Sequence, residues 1–313
     1  MKSILIDILG GDFNEEEILK GIKEIYPNVK SEYEFVIIGP KEIILKYFKE
    51  DEVKIIDINK EVTNNTSAMA ILHDLEDTAL VNAYNYLKEN EDTVGLLTVS
   101  STGCVFVGAI FKLGLIKGIK NPVLATELYR TDFTRFVMVD CGANLDITKE
   151  QYLDFARIGM VFEKALGINN PKIALANLGV EEKKGNRQMK EAYQLLKESN
   201  LNFIGNVEFN RIFKDSFDVL VCDGAIGNCI LKNAEGVGKA ILDLDLPDNI
   251  KDTINHLFNY NDQGAAILLG PNKIVLKAHG AANKNTIASS IEELIRLDKG
   301  RLIESLKEEY SKW

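Results

Sequence analysis

Six short segments in this chain combine glycine with a small polar residue, a carboxylate, a lysine or a histidine, and each follows an apolar run. They are Gly10-Gly11-Asp12, Ser100-Ser101-Thr102-Gly103, Gly142-Ala143-Asn144, Lys184-Gly185-Asn186, Asp223-Gly224 with Gly227-Asn228, and His279-Gly280. Glycine admits close backbone approach, and a helix that begins behind such a turn offers N–H groups with no intrahelical partner, so the combination suits an anion. Every α/β protein has glycine turns at strand ends, so a single turn of this kind carries little weight. Six of them, joined by Lys184 and His279, point to a phosphate or phosphoester site.

The residues of other chemistries are missing. There is no G-x-x-x-x-G-K-[ST] loop and no G-x-G-x-x-G after the first apolar run, so neither a P-loop nor a Rossmann cofactor is expected. No G-x-S-x-G elbow and no H-E-x-x-H occur. His73, His256 and His279 are far apart in sequence, and no metal site is expected from them. The cysteines, Cys104, Cys141, Cys222 and Cys229, form no C-x-x-C pair and read as reduced, buried small side chains. Cys104 follows Gly103 at a candidate turn, but no adjacent histidine supports a thiolate nucleophile.

The elements that must position these turns alternate. Apolar β-type runs occur at 2–8, 34–38, 53–58, 94–99, 122–126, 135–140, 172–176, 202–205, 217–222, 265–269 and 273–277. Several are continuous rather than alternating, as in parallel strands covered on both faces. Amphipathic helical stretches lie between them. Asn14 and Glu17 have capping-box spacing ahead of the stripe Ile18, Ile22 and Ile25. Further helices are expected at 77–90, 102–115, 149–165, 187–198, 227–242 and 284–308. Strand and helix in alternation mean βαβ units and a mostly parallel sheet, whose carboxyl-end crevice is where ligands bind. With six prolines and no low-complexity linker, the 313 residues read as one large α/β domain, 1–313, with a short acidic helical excursion around 236–262.

Charge narrows the partners. With 37 Lys+Arg against 47 Asp+Glu, the net charge is −10, which argues against a nucleic-acid binder and against attraction to anionic lipid by global charge. Residues 94–111 carry no charge over about the length of a membrane span, but their glycines, serines and threonine break them into a strand, a loop and a helix. The N-terminal Met-Lys-Ser-Ile-Leu-Ile-Asp meets an acid too early for a secretory segment, and a cytoplasmic protein is expected.

At the turns the chain resembles the PlsX family, phosphate acyltransferases of bacterial phospholipid synthesis. The matching stretches are Ile-Asp-Ile-Leu-Gly-Gly-Asp (6–12), Val-Asp-Cys-Gly-Ala-Asn-Leu-Asp (139–146) and Leu-Gly-Ile-Asn-Asn-Pro (166–171). They continue with Glu-Glu-Lys-Lys-Gly-Asn (181–186), Asn-Phe-Ile-Gly-Asn-Val-Glu (202–208), Val-Cys-Asp-Gly-Ala-Ile-Gly-Asn (221–228) and Lys-Ala-His-Gly (277–280). They fall in family order across nearly the whole chain. The resemblance implies a three-layer α/β/α fold like that of isocitrate and isopropylmalate dehydrogenases, and a homodimer. It implies a reaction of acyl-[acyl carrier protein] with inorganic phosphate that gives acyl phosphate, and it implies no cofactor. Lys184, His279, Asp223 and Asn144 are then the catalytic candidates. Gly10, Gly11, Asp12, Ser101, Thr102, Gly103, Gly142, Asn186 and Asn228 are the candidates for holding substrate and phosphate.

Each has an ordinary structural alternative: Lys184 as a surface lysine, His279 as a hydrogen-bonded turn residue, and Asp7 and Asp12 as turn holders. Three departures from the family pattern are visible. The family's Ala-Gly-Asn-Thr-Gly reads Val99-Ser100-Ser101-Thr102-Gly103, which adds a side chain at 100 and removes an amide at 101. The family's basic run before the helix at 77 is replaced by acids in Ala70–Thr78, where a like charge at 4 Å costs roughly 1–4 kcal/mol. The 242–260 segment is short and acidic, so membrane association is expected to be weak or absent, at most peripheral. Two alternatives stand beside the main reading: a non-catalytic relative that binds a carrier protein or partner, and a coenzyme A-dependent short-chain phosphotransacylase.

Overall fold

Apolar runs too short for helices and rich in β-branched residues form strands along the whole chain, because each can be buried on both faces only within a sheet. The computed structural model describes residues 1–12, 15–63, 65–259 and 264–312. Its strands are β1 (Lys2–Asp7), β2 (Tyr33–Gly39), β3 (Lys54–Asp57), β4 (Thr93–Thr98), β5 (Val123–Tyr129) and β6 (Arg135–Val139). They continue with β7 (Ile173–Asn177), β8 (Phe203–Glu208), β9 (Val219–Val221), β10 (Ala266–Leu269) and β11 (Ile274–Lys277). The helices are α1 (Glu15–Val29), α2 (Lys41–Ile44), α3 (Ala79–Glu89), α4 (Thr102–Gly108) and α5 (Lys149–Ala165). After them come α6 (Arg187–Glu198), α7 (Gly224–Leu242), α8 (Asp248–Phe258), α9 (Lys284–Lys299) and α10 (Leu302–Tyr310).

The chain divides into two units, Met1–Lys117 with Asn261–Lys299 and Gly118–Tyr260 with Gly300–Trp313. In the first unit the strand order is β3-β2-β1-β4-β11-β10. All neighbours are parallel except β10 and β11, which a short connection joins as a hairpin. The chain steps outward from β1 to β2 and β3, then returns to β4 on the other side of β1. Right-handed crossovers therefore set α1 on one face and α3 on the other. α1 packs on α9, and α3 packs on β1, β2 and β4. The stripe Ile18, Ile22 and Ile25 is buried as its spacing requires. Asn14, read as the cap of this helix, lies outside the described residues.

In the second unit the order is β5-β6-β9-β7-β8, parallel except for the β5–β6 hairpin. α5 packs on α6 and α10, α7 on α8, and α8 on β5. Thr148 caps α5 in a full capping box with Gln151. The excursion around 236–262 takes in the end of α7 and all of α8, with 260–262 outside the described residues.

Three helices depart from the sequence expectation. α7 starts at Gly224 rather than 227 because the Asp223 carboxylate accepts the Ile226 N–H at 2.8 Å and caps it. The stretch 284–308 is two helices, broken where Gly300 precedes Arg301 at φ +55°. α4 passes into a π-helical turn, Ala109–Leu113. Three cysteines are buried, but Cys229 is exposed on α7, which corrects the expectation of four buried thiols. Among the described residues no helix is long and apolar enough to cross a membrane.

Candidate active site

In the first unit the chain leaves adjacent strands β1 and β4 in opposite directions, which opens a crevice at their carboxyl ends. Three of the glycine turns converge there. The Asp12 N–H donates to the Gly280 carbonyl at 2.7 Å, which ties the turn after β1 to the turn after β11. A Cβ on Gly11 would stand 3.1 Å from the same carbonyl, and one on Gly280 would stand 2.6 Å from an Asp12 carboxylate oxygen. Gly10 has φ +88°, and a side chain there would meet the Val62 carbonyl at 2.6 Å. Only glycine fits that position. The Gly10 N–H donates to Glu61 at 3.2 Å.

Beneath these turns lies Asp7, 1 % exposed. One carboxylate oxygen accepts the Leu9 N–H at 3.1 Å. The other accepts the Thr98 hydroxyl at 2.9 Å and the Ser100 hydroxyl at 3.1 Å. Burial pushes the Asp7 carboxyl up to about 6 against the pull of these donors, and Glu61 adds to the rise. The side chain that departs from the family's glycine at position 100 thus points into the interior. Ser101 is half-buried, while Thr102, Gly103 and His279 are exposed. The His279 Nδ1 accepts the Ala281 N–H at 3.1 Å, which holds the imidazole over its own turn.

The acidic segment that replaces the basic run is close by. Its 3-10 turn, Ala68–Leu72, packs on α4, and Ala68 would be 3.1 Å from a Cβ on Gly103. Two of the acids that follow are matched by lysines: Asp77 with Lys60 at 2.7 Å and Glu76 with Lys112 at 3.2 Å. Cys104 lies between, its thiol 3.7 Å from the Ser67 carbonyl. Burial pushes that thiol up, so a thiolate is disfavoured.

In the second unit the organising group is Asp140, fully buried at the end of β6. Its carboxylate accepts the N–H groups of Leu124 (2.9 Å), Cys141 (2.7 Å), Ala143 (3.1 Å) and Asn144 (2.6 Å). It also accepts the Asn144 amide at 2.9 Å. Burial raises the carboxyl of Asp140, and these donors oppose the rise. The Asn144 carbonyl in turn accepts the Gly224 N–H at 2.7 Å. This fastens the 140–144 turn to the start of α7, and a Cβ on Gly142 would lie 3.7 Å from Asn228. Asp223 has two structural partners, the Ile226 N–H and the Tyr152 hydroxyl at 3.2 Å.

The Lys184 turn follows the neighbouring strand β7. Buried Asn177 donates to the Lys184 carbonyl at 3.3 Å and to the side chain of Asn206 at 3.1 Å. Asn206 donates to the Glu181 carbonyl at 2.9 Å. Lys184 itself is exposed, with its ammonium 3.8 Å from Glu181. Asn186 caps α6 by accepting the Met189 N–H at 2.9 Å.

The thirteen proposed residues thus fall into two groups. Gly10, Gly11, Asp12, Ser101, Thr102, Gly103 and His279 belong to the first unit. Gly142, Asn144, Lys184, Asn186, Asp223 and Asn228 belong to the second. Asn144, Asn186 and Asp223 spend hydrogen bonds on their own turns. The residues that hold these turns, Asp140, Asn177, Asn206 and Thr98, were not singled out from sequence. For Asp140, Asn177 and Thr98 the signal is a polar side chain at the end of an otherwise apolar strand or just beyond it, whereas Asn206 lies within β8 and carries no such signal.

Comparison with known proteins agrees with this architecture. The profile of a family described as "Fatty acid synthesis protein" matches residues 2–304. A phosphate acyltransferase of Clostridium tetani is 35 % identical over 327 residues, covering 98 % of this chain and 97 % of that protein. Among solved structures, a branched-chain phosphotransacylase from Enterococcus faecalis superposes with TM-score 0.64 at 15 % identity, covering 95 % of this chain and 99 % of that one. A 4-hydroxythreonine-4-phosphate dehydrogenase from Klebsiella pneumoniae gives 0.55 at 14 % identity, covering 95 % and 99 %. At those identities the structural likenesses bear on the fold alone, a mostly parallel α/β sheet with helices on both sides.

Proposed function

The chain belongs to the fatty acid synthesis protein family, whose relatives are phosphate acyltransferases, and from that premise we propose that it moves an acyl group from an acyl carrier protein thioester to inorganic phosphate. The product is an acyl phosphate for phospholipid synthesis. The observation that carries the reading is the convergence of the Gly10–Asp12, Ser101–Gly103 and His279–Gly280 turns at the β1/β4 crevice, two of them tied together by the Asp12 N–H to Gly280 carbonyl bond.

The chemistry asks little of side chains. A phosphate oxygen attacks the thioester carbonyl, charge gathers on that carbonyl oxygen, and the thiolate departs as the C–S bond breaks. Holding phosphate against the carbonyl supplies proximity, and fixed N–H donors stabilise the developing oxyanion. A thiol of pKa about 8.5 leaves without strong acid help. No Ser-His-Asp triad is required. In the second unit, Lys184 is the proposed cation for an anionic substrate group. Asn144, Gly142, Asp223, Asn186 and Asn228 shape the turns beside it.

The test is direct. Purified protein is incubated with inorganic phosphate and either acyl carrier thioester or acyl-coenzyme A, and acyl phosphate is trapped with hydroxylamine. Turnover with the carrier thioester supports the reading, and turnover with acyl-coenzyme A alone moves the assignment to a phosphotransacylase. No product from either donor leaves the non-catalytic alternative.

The same reading includes a homodimer in the cytoplasm with weak or no membrane contact. The dimer follows from the family resemblance, and weak membrane contact is supported by the acids Asp243, Asp245, Asp248 and Asp252 around exposed Leu244 and Ile250. Light scattering that gives only the 34.9 kDa of one chain speaks against the dimer. Firm binding to anionic vesicles at about 0.15 M salt speaks against weak membrane contact.

A further inference from the structure

The Ser100 hydroxyl has one proton and two acceptors: an Asp7 carboxylate oxygen at 3.1 Å and the Leu9 carbonyl at 3.3 Å. It is buried, 1 % exposed, and it stands directly under Gly10, where a Cβ would lie 3.0 Å from the hydroxyl oxygen. Its own N–H donates to the Thr98 hydroxyl at 3.1 Å, which in turn donates to Asp7 at 2.9 Å. A single polar cluster therefore links the ends of β1 and β4 beneath the loop Leu9–Gly11.

We propose that Ser100 is a positioning residue that couples the ionisation of Asp7 to the anion-binding loop Leu9–Gly11. With Asp7 ionised, the Ser100 proton is given to the carboxylate. With Asp7 protonated from solvent, the new carboxyl O–H donates to the Ser100 oxygen, and the Ser100 proton is given to the Leu9 carbonyl. The protonated state removes a buried negative charge from below the loop and adds a hydrogen bond to it. Both changes favour an anion at this loop, where it takes the Gly10 N–H from Glu61.

The cluster is poised for this. Burial holds the Asp7 carboxyl at about 6, so it changes charge within the range of ordinary buffers. The other groups facing it are few. Glu61 lies on the Gly10 N–H, and Asp12 and His279 are on the adjoining turns. Lys277 is opposite Thr98 in register on β11. Tyr84 on α3 and Cys104 on α4 are buried neighbours whose protons are held tightly by burial. The inference takes the identity of its anion, phosphate, from the phosphate acyltransferase reading, but its geometry is independent of turnover.

The experiment measures the melting-temperature shift produced by inorganic phosphate, and separately by sulfate, between pH 5 and 8. Sulfate has no ionisation in this range, so a change seen with it belongs to the protein. In the wild type, anion stabilisation strengthens on the acid side with a midpoint near pH 6. Ser100→Ala takes one donor from the carboxylate and moves the midpoint up by about one pH unit. Asp7→Asn abolishes the transition, and Ser100→Gly repeats the Ser100→Ala shift if the alanine variant folds poorly. A midpoint unchanged in both Ser100 variants, or a weakening equal at every pH, overturns the proposal. An enzyme inactive on every acyl thioester overturns the reaction instead, and the sulfate titration still decides the role of Ser100.

Discussion

Asn144 meets Asp140 twice: its backbone N–H lies 2.6 Å from the Asp140 carboxylate and its side-chain amide 2.9 Å from the same oxygen. The amide also reaches the Pro122 carbonyl at 2.9 Å, so its donors are spent on the turn. With the Leu124, Cys141 and Ala143 N–H groups added, Asp140 is the acceptor around which the strand end is built. Removing a buried acceptor leaves its donors unpaired. Asp140→Ala should therefore lower unfolding free energy by about 3–5 kcal/mol and Asn144→Ala by about 1–3 kcal/mol. Urea unfolding of both variants checks this order, and a costlier Asn144→Ala would contradict it.

Lys184 is the reverse case, a charged group that the fold does not use. It is exposed and pairs with Glu181 at 3.8 Å, a surface contact worth a few tenths of a kcal/mol at most. Lys184→Ala should leave the melting temperature within experimental error. If the ammonium meets an anionic substrate, the same change raises the KM for phosphate roughly ten- to a hundred-fold, the value of one charge-assisted hydrogen bond. Steady-state kinetics with phosphate as the varied substrate reads this out, and an unchanged KM would remove Lys184 from the site.

Most of the sheet was legible because its strands are written as unbroken apolar runs, such as Ile4-Leu5-Ile6 and Phe35-Val36-Ile37-Ile38, all fully buried. The turns were legible because glycine is placed where backbone crowds backbone, as at Gly10 under the Val62 carbonyl. What holds the turns was harder to read. Asp140 and Asn177 each stand at a strand end among apolar residues, and sequence does not say whether such a side chain turns inward or toward a ligand. Ser100 shows the ambiguity. It is an added side chain at a candidate substrate-binding turn, yet it lies inside against Asp7. The hairpins β5–β6 and β10–β11 were hidden in the general parallel pattern, although their short connections are the physical sign of antiparallel pairing.

Glu163 gives a pH prediction away from the candidate site. Its side chain is fully buried at the end of α5, 2.8 Å from Arg135, which is also 2.8 Å from Glu127. Burial is the largest influence and lifts the Glu163 carboxyl from 4.5 to about 7, with Arg135 pulling the other way. A carboxyl raised in the folded state is protonated more readily there than in the unfolded chain. Its contribution is therefore fully present below about pH 4.5 and lost as pH rises through about 7. Asp7 acts in the same sense between 3.8 and about 6. Glu163→Gln should flatten the fall in stability between pH 5 and pH 8 by roughly 2–3 kcal/mol. Denaturant unfolding at the two pH values measures it, and parallel curves for wild type and variant would count against the assignment.

Two glycines of α7 should answer the same substitution in opposite ways. Gly227 lies in the first turn of the helix, where a Cβ would fall 1.9 Å from the Asp140 carbonyl oxygen and 3.0 Å from its carbon. These are backbone atoms of a turn held by five hydrogen bonds to the Asp140 carboxylate, so nothing nearby can yield by a rotamer change. Gly227→Ala should cost about 3 kcal/mol or more, through displacement of α7 or of the 140–144 turn. Gly236, nine residues further along, would have no atom within 4 Å of an added Cβ. There, alanine only restricts the unfolded chain and suits the helix better, so Gly236→Ala should raise stability by about 0.5–1 kcal/mol. Thermal and urea unfolding of the pair tests the close approach itself. A Gly227→Ala protein as stable as the wild type would mean that the α7 start does not rest on the Asp140 turn, and the shared positioning of Asn144, Asp223 and Asn228 would lose its basis.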